Sequence, residues 1–126
     1  MTAAPIITLT AMLTNLIECE QHAVERFQRD LAGRTFIQLA DDMSNAIAAE
    51  HRLGWYQRAL KIGRDYDDAA AASWLEAALG DALGDSRQYT DSFQNGVITA
   101  KRAAARHTLS SLRIFLDATE VLDRIY

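Results

Sequence analysis

Four side chains that could bind a metal ion are spread along the sequence, one on each of four apolar-patterned segments. They are Glu20, Glu50, Asp85 and His107. Carboxylate oxygens and imidazole nitrogens together are typical ligands of iron and manganese in proteins. A metal centre is therefore one chemistry that the sequence offers, provided that the fold brings these residues together.

The position of Glu20 within its segment makes it the most informative of the four. Apolar residues precede and follow it in steps of three and four, at Leu13, Leu16, Val24 and Phe27. This spacing places Glu20 on the inward face of a helix. Because a buried charge without a partner is costly, we expect Glu20 to contact a metal ion, an arginine, a tyrosine hydroxyl or a second subunit.

Glu50 follows Ile47 at three residues and Met43 at seven, and this spacing also predicts an inward position. The apolar stripe of the same segment begins with Phe36. By counting the helical rise from each helix end, we expect Glu20 to lie level with Glu50 and Asp85 to lie level with His107. All four would then converge near the middle of the molecule.

The elements that position these residues are four predicted helices. Thr35 and Gln38 form a capping-box pattern, and Asp65 or Asp67 is suited to the next N-cap. Glycines and the Asn95–Gly96 pair separate the apolar stripes. No run alternates with a period of two for long enough to indicate a strand. The predicted helices cover residues of about 8–31, 35–62 (ending at Gly63), 67–94 and 97–124.

Helices of similar length with short connections must fold back on their neighbours. The sequence therefore predicts an all-α, antiparallel, up-down-up-down four-helix bundle, with residues 1–126 as a single domain. The chain has 126 residues, and 49% of them are hydrophobic, which is enough to bury a core.

The stretch ECEQHAVERF resembles one helix of the ferritin-like di-iron carboxylate bundles, which have a glutamate followed by an aromatic residue seven positions on, here Glu20 and Phe27. That family uses a glutamate on two helices and Glu-x-x-His on the other two. The resemblance implies a site for iron or manganese at the four residues named above. The chain has no Glu-x-x-His: Leu53 stands three residues after Glu50, and Ala104 three residues before His107. We therefore expect no resident cofactor, with iron or manganese as the alternative.

Two features predict a protein interface. Gly80 and Gly84 continue a stripe of small residues on the third helix, and each mid-helix glycine costs about 1 kcal/mol relative to alanine. Such a cost favours a close approach, either by a neighbouring helix or by a second chain. Trp55 and Tyr56 are adjacent, so they cannot both face inward, and we expect one of them to be partly exposed.

Composition narrows the class of partner. A formal net charge of −4 argues against nucleic acid and anionic membranes, although Arg102, Arg106 and Arg113 form a modest basic strip. Cys19 is the only cysteine, which fits a reducing compartment. The N-terminal residues do not form a signal peptide, and no apolar run could cross a membrane. The expected location is the cytoplasm.

Three functions remain open. The first is a non-enzymatic helical-bundle protein that acts as a homo-oligomer or as an adaptor for another protein. The second is a ferritin-like metal protein. The third is a phosphotransfer module, because RHTLSSLRIF around His107 resembles the histidine-containing phosphotransfer motif, with Ser110 where that motif has lysine. Enzymatic activity is not expected, since no phosphate loop, catalytic triad or zinc spacing is found.

Overall fold

The computed structural model describes residues 8–85 and 92–125, and nearly all of these residues lie in helices. No strand occurs within these ranges. The elements are α1 (Leu9–Asp30), a short 3-10 turn (Leu31–Gly33), α2 (Phe36–Asp65), α3 (Asp68–Leu83) and α4 (Ser92–Ile125). None of the described helices is both long and apolar enough to cross a membrane.

The helix starts follow the capping signals of the sequence. The Thr35 hydroxyl accepts a hydrogen bond from the Gln38 backbone N–H (3.3 Å), and the Gln38 side chain accepts one from the Thr35 N–H (3.0 Å). At α3, the Asp67 carboxylate accepts a hydrogen bond from the Ala70 N–H at 2.7 Å. The predicted capping box and the Asp67 cap are confirmed, because short polar side chains satisfy N–H groups that have no partner within the helix.

Two predicted helix ends are wrong. The second helix passes through Gly63 and ends at Asp65. A side chain at Gly63 would lie 3.1 Å from the Thr10 hydroxyl, so this glycine allows α1 to approach α2 and does not stop a helix. The third helix ends at Leu83, well short of residue 94, where the N–H of Gly84 bonds to the Gly80 carbonyl. Residues 86–91 of that predicted helix lie outside the described ranges.

The predicted break at Asn95–Gly96 is also wrong, because both residues lie inside α4. There the Asn95 carbonyl accepts a hydrogen bond from the Thr99 hydroxyl at 2.9 Å. Packing of Ile98 and Ala100, which are both buried, outweighs the low helix propensity of glycine in this turn.

The helices share one apolar core, in which α2 packs against α1, α3 and α4, and α3 packs against α4. All four helices therefore contribute to one bundle-like core. The buried core residues are Leu9, Leu13, Tyr56, Ala59, Leu60, Ala71, Leu75, Leu79, Ala82, Ala105, Leu109 and Leu112.

Polar contacts hold α1 in place at two levels. At its start, the Asp68 carboxylate accepts hydrogen bonds from the Leu9 backbone N–H (3.1 Å) and from the Thr10 hydroxyl. Further along, Glu20 contacts Arg52 of α2. These contacts fix the position of α1 relative to α2 and α3. A cavity described below lies between α1 and α4.

Candidate functional site

Glu20 lies where its apolar neighbours predicted, on the inner side of α1, and its partner is an arginine. The Arg52 Nε donates to Glu20 Oε1 at 2.8 Å, and Arg52 Nη2 donates to Oε2 at 3.2 Å. The Glu20 side chain is 14% exposed and the Arg52 side chain is 22% exposed. A guanidinium fits both oxygens of a carboxylate at once, so the pair neutralises Glu20 without a metal ion.

Glu50 does not face inward, and this prediction is wrong because its side chain is exposed. The buried face of α2 runs through Ala49, Tyr56 and Leu60, at intervals of seven and four residues. Glu50 is one residue past Ala49, which turns it about 100° away from that face.

Asp85 and His107 are not brought together with Glu20 as a ligand set. The Asp85 carboxylate is largely buried and accepts a hydrogen bond from Lys101 Nζ at 3.2 Å. His107 is exposed. Within residues 8–85 and 92–125, no three Asp, Glu, His or Cys side chains come close enough to share an ion. Two of the four candidate ligands, Glu20 and Asp85, contact cationic side chains instead.

The two aromatic residues proposed for an interface have different positions. Tyr56 is buried in the core, so the structure does not offer it to a partner. Trp55 is partly buried and stacks on His51, with ring centroids 5.8 Å apart. The expectation that one of the two would be partly exposed is confirmed for Trp55. Its role at an interface stays a prediction.

The close helix approach expected at Gly80 and Gly84 is not found. A side chain at Gly80 would meet no described atom within 4 Å, and the nearest atoms to one at Gly84 are carbonyls of the same turn, at 3.6 Å. Among residues 8–85 and 92–125, no helix approaches α3 closely at these two glycines. This face of α3 is exposed, and contact with a second chain there stays a prediction.

A cavity of about 300 Å³ lies between α1, α2 and α4, and we call it the α1–α4 cavity. Its floor is apolar and buried, formed by Leu13, Leu75 and Leu112, and Met12 and Leu16 form a wall. Its rim is polar. The rim residues are Glu20, Arg52, His107 and Ser111. Such a combination of apolar floor and few polar groups is typical of small-molecule sites.

Two hydroxyl groups lie at the base of the α1–α4 cavity. Burial raises the pKa of the Tyr56 hydroxyl, and interaction with the Thr108 hydroxyl lowers it in part. The Thr108 hydroxyl is fully buried, and the Tyr56 hydroxyl is the polar group that interacts with it. The sequence contained a signal for Thr108 that we missed: it lies in phase with Ala104 and Leu112, four residues from each.

Exposed apolar side chains cluster where α1 connects to α2, at Leu31, Phe36 and Ile37, which we call the apolar turn. Phe36 is 90% exposed, Ile37 78% and Leu31 42%. The prediction that Phe36 begins the inward stripe of α2 is wrong, because the Phe36 side chain itself is exposed to solvent. Periodicity identified the apolar residues but not where the neighbouring helices end.

Comparison with known proteins identifies no related protein, so a function has to be inferred from the residue contacts described above. The chain matches no protein-family model, no curated protein and no solved structure.

Proposed function

We propose that this protein is a non-enzymatic helical-bundle interaction protein whose partner is a second copy of itself, bound through the apolar turn. One observation carries the proposal: Phe36 and Ile37 are adjacent, large, apolar and 90% and 78% exposed. The largest exposed apolar patch on a typical monomeric protein covers about 300–600 Å² and is often functional.

The local structure of α2 does not require these side chains. Thr35 and Gln38 already complete the helix start through the capping box. Acidic residues are favoured in the first turn of a helix by the helix dipole, yet this turn has none. Large apolar residues occupy that turn instead. A role in binding explains them better than helix stability does.

The proposed up-down arrangement supports an accessible apolar turn. Thr10 approaches Gly63 and Glu20 pairs with Arg52, so advancing along α1 means moving back along α2. We infer that α1 and α2 are antiparallel and that the apolar turn lies at the end of their hairpin. There Arg34 contacts both Asp30 and Asp42, so one cation and two carboxylates leave one net negative charge beside the patch. Salt should therefore favour association by screening the repulsion between two copies.

The size of the patch predicts weak association. Phe36 alone exposes on the order of 150 Å², and the three side chains together expose roughly 350 Å² per copy. Two copies would then bury roughly 700 Å², below the about 1,200 Å² of stable interfaces. A two-fold contact in which each patch covers the other is the simplest closed assembly. We expect a dimer that forms at high micromolar concentration.

Light scattering of the wild type and of Phe36→Ser/Ile37→Ser tests this proposal. The wild type should gain mass as concentration rises, and the double variant should not. Ile114→Ser is the matched control, because Ile114 is also apolar and 70% exposed but lies on α4. A wild-type mass that remains at 14.0 kDa at every concentration would overturn the proposal that the partner is a second copy.

We further propose that association requires no metal ion, since both Glu20 oxygens are bonded to Arg52. Elemental analysis of protein purified without chelators checks this point. We expect far less than one equivalent of iron or manganese, with no change in Glu20→Gln. A stoichiometric metal that is lost in Glu20→Gln would support the ferritin-like alternative.

A further inference from the structure

We propose that a second copy docks along the first half of α2, on a face that continues from the apolar turn and that we call the α2 stripe: Ile37, Ser44 and Ala48. This inference rests on the proposed function and extends the surface that the two copies share. The two α2 helices lie side by side and antiparallel, so that each apolar turn contacts the α2 stripe of the other copy. This contact replaces the simpler one in which the two apolar turns cover only each other.

The α2 stripe lies on the same side of α2 as Trp55. Three residues follow Ile37 at intervals of 7, 11 and 18 residues, namely Ser44, Ala48 and Trp55. At about 3.6 residues per turn, all three intervals are close to whole numbers of turns, so the four side chains lie along one side of the helix. Arg58, three residues after Trp55, contacts α3, which identifies this side as the one against which α3 packs.

Helix α3 is too short to cover this side of α2 along its whole length, since α3 has 16 residues and α2 has 30. A Cβ at Gly63 would lie 3.5 Å from the Ala71 Cβ. Further back along α2, Arg58 Cζ lies 5.8 Å from the ring centroid of Trp74. Advancing along α3 therefore means moving back along α2. With a length of about 24 Å, α3 reaches back to roughly the midpoint of α2, and the α2 stripe lies before that point.

The α2 stripe is open to solvent at its start and has small side chains further on. Phe36 and Ile37 are 90% and 78% exposed, and Ser44 is exposed as well. Ala48 is partly buried. Large side chains at one end of the overlap therefore match small ones at the other end, and this match requires two antiparallel helices. Helix axes approach to about 8 Å where the side chains between them are small.

A second copy is the occupant that best accounts for this surface. Two-fold symmetry repeats every contact, so the match of large with small side chains at one end of the overlap occurs again at the other. The overlap of residues 36–48 is roughly 20 Å long. Because each apolar turn covers an α2 stripe, the buried area exceeds the roughly 700 Å² of two apolar turns alone and approaches the about 1,200 Å² of stable interfaces.

Sedimentation equilibrium of Ser44→Arg and Asn45→Arg tests the inference. Both residues are exposed and adjacent in α2, so the two changes add the same charge at nearly the same place. Ser44 lies on the α2 stripe, whereas Asn45 is turned about 100° away and lines a cavity between α1 and α2. We expect Ser44→Arg to weaken self-association by about tenfold or more, and Asn45→Arg to weaken it by less than about twofold.

The remaining variants separate this inference from the proposed function. Ser44→Ala keeps a small side chain and should associate as the wild type does. The α2 stripe is overturned, and the apolar turn retained, if the wild type and Ser44→Arg associate equally while Phe36→Ser/Ile37→Ser does not associate. Equal weakening in Ser44→Arg and Asn45→Arg would also overturn the stripe, because added charge alone would then explain the loss. A wild type that stays monomeric would overturn both.

Discussion

Breaking the contact between Glu20 and Arg52 should reveal how strongly the paired charges stabilise the fold. We consider Arg52→Met, Glu20→Met and the double variant. Each single change leaves one charge largely shielded from water and without its two hydrogen bonds. The double change leaves no charge and retains similar side-chain volume. The loss of unfolding free energy in the double variant should therefore be smaller than the sum of the losses in the two single variants.

The magnitude follows from the geometry. Two unit charges about 4 Å apart attract by about 4 kcal/mol at an effective dielectric constant of about 20. Desolvation offsets part of this attraction, because the side chains are only 14% and 22% exposed. We expect a coupling energy of about 2 kcal/mol, with each single variant losing about 2–3 kcal/mol of unfolding free energy.

Urea unfolding followed by circular dichroism gives the four free energies of the double-mutant cycle. The control cycle uses Asp30 and Arg34, whose side chains are more exposed and whose Oδ2 and Nη2 atoms lie 3.3 Å apart where α1 ends. Its coupling should not exceed about 0.5 kcal/mol. A coupling for Glu20 and Arg52 that is no larger than that of the control would refute the role assigned to the pair.

Two other predictions concern pH and glycine positions. Burial and the charge of Lys101 lower the pKa of His51 below its ordinary value of 6.5. Because the folded protein favours neutral His51, its unfolding free energy should fall as the pH drops below about 6.5. Comparison of unfolding free energies at successive pH values should show a smaller loss in His51→Gln, and an identical loss would contradict this. Gly54→Ala should raise stability by up to about 1 kcal/mol, because open space surrounds that mid-helix position. Gly63→Ala should gain less stability or lose it, because its Cβ would lie 3.1 Å from the Thr10 hydroxyl. Thermal unfolding compares the two variants. A larger gain for Gly63→Ala than for Gly54→Ala would be inconsistent with tight packing at Gly63.

Much of the secondary structure could be predicted because its signals are local. A threonine followed three residues later by glutamine, or an aspartate before an alanine run, satisfies helix N–H groups wherever the helix later packs. The inward position of Glu20 was also predictable, since its apolar neighbours lie on both sides of it in the same helix. These predictions needed no knowledge of other helices.

The wrong predictions depended on distant parts of the chain. Phe36 and Glu50 lie on apolar stripes of α2, but which face of a helix is buried depends on where the other helices pack against it. Gly63 marks a close approach of α1 and Asn95–Gly96 continues a helix, because packing outweighs local propensity at both places. The arginine partner of Glu20 is 32 residues away, and its identity required the helix pairing.

Sedimentation equilibrium of the wild type over concentrations from about 10 µM to about 1 mM most directly tests whether the apolar turn joins two copies. We predict a reversible rise from 14.0 kDa towards twice that mass, absent in Phe36→Ser/Ile37→Ser and retained in Ile114→Ser. A wild type that stays monomeric throughout, or a double variant that associates as the wild type does, would contradict the proposed function.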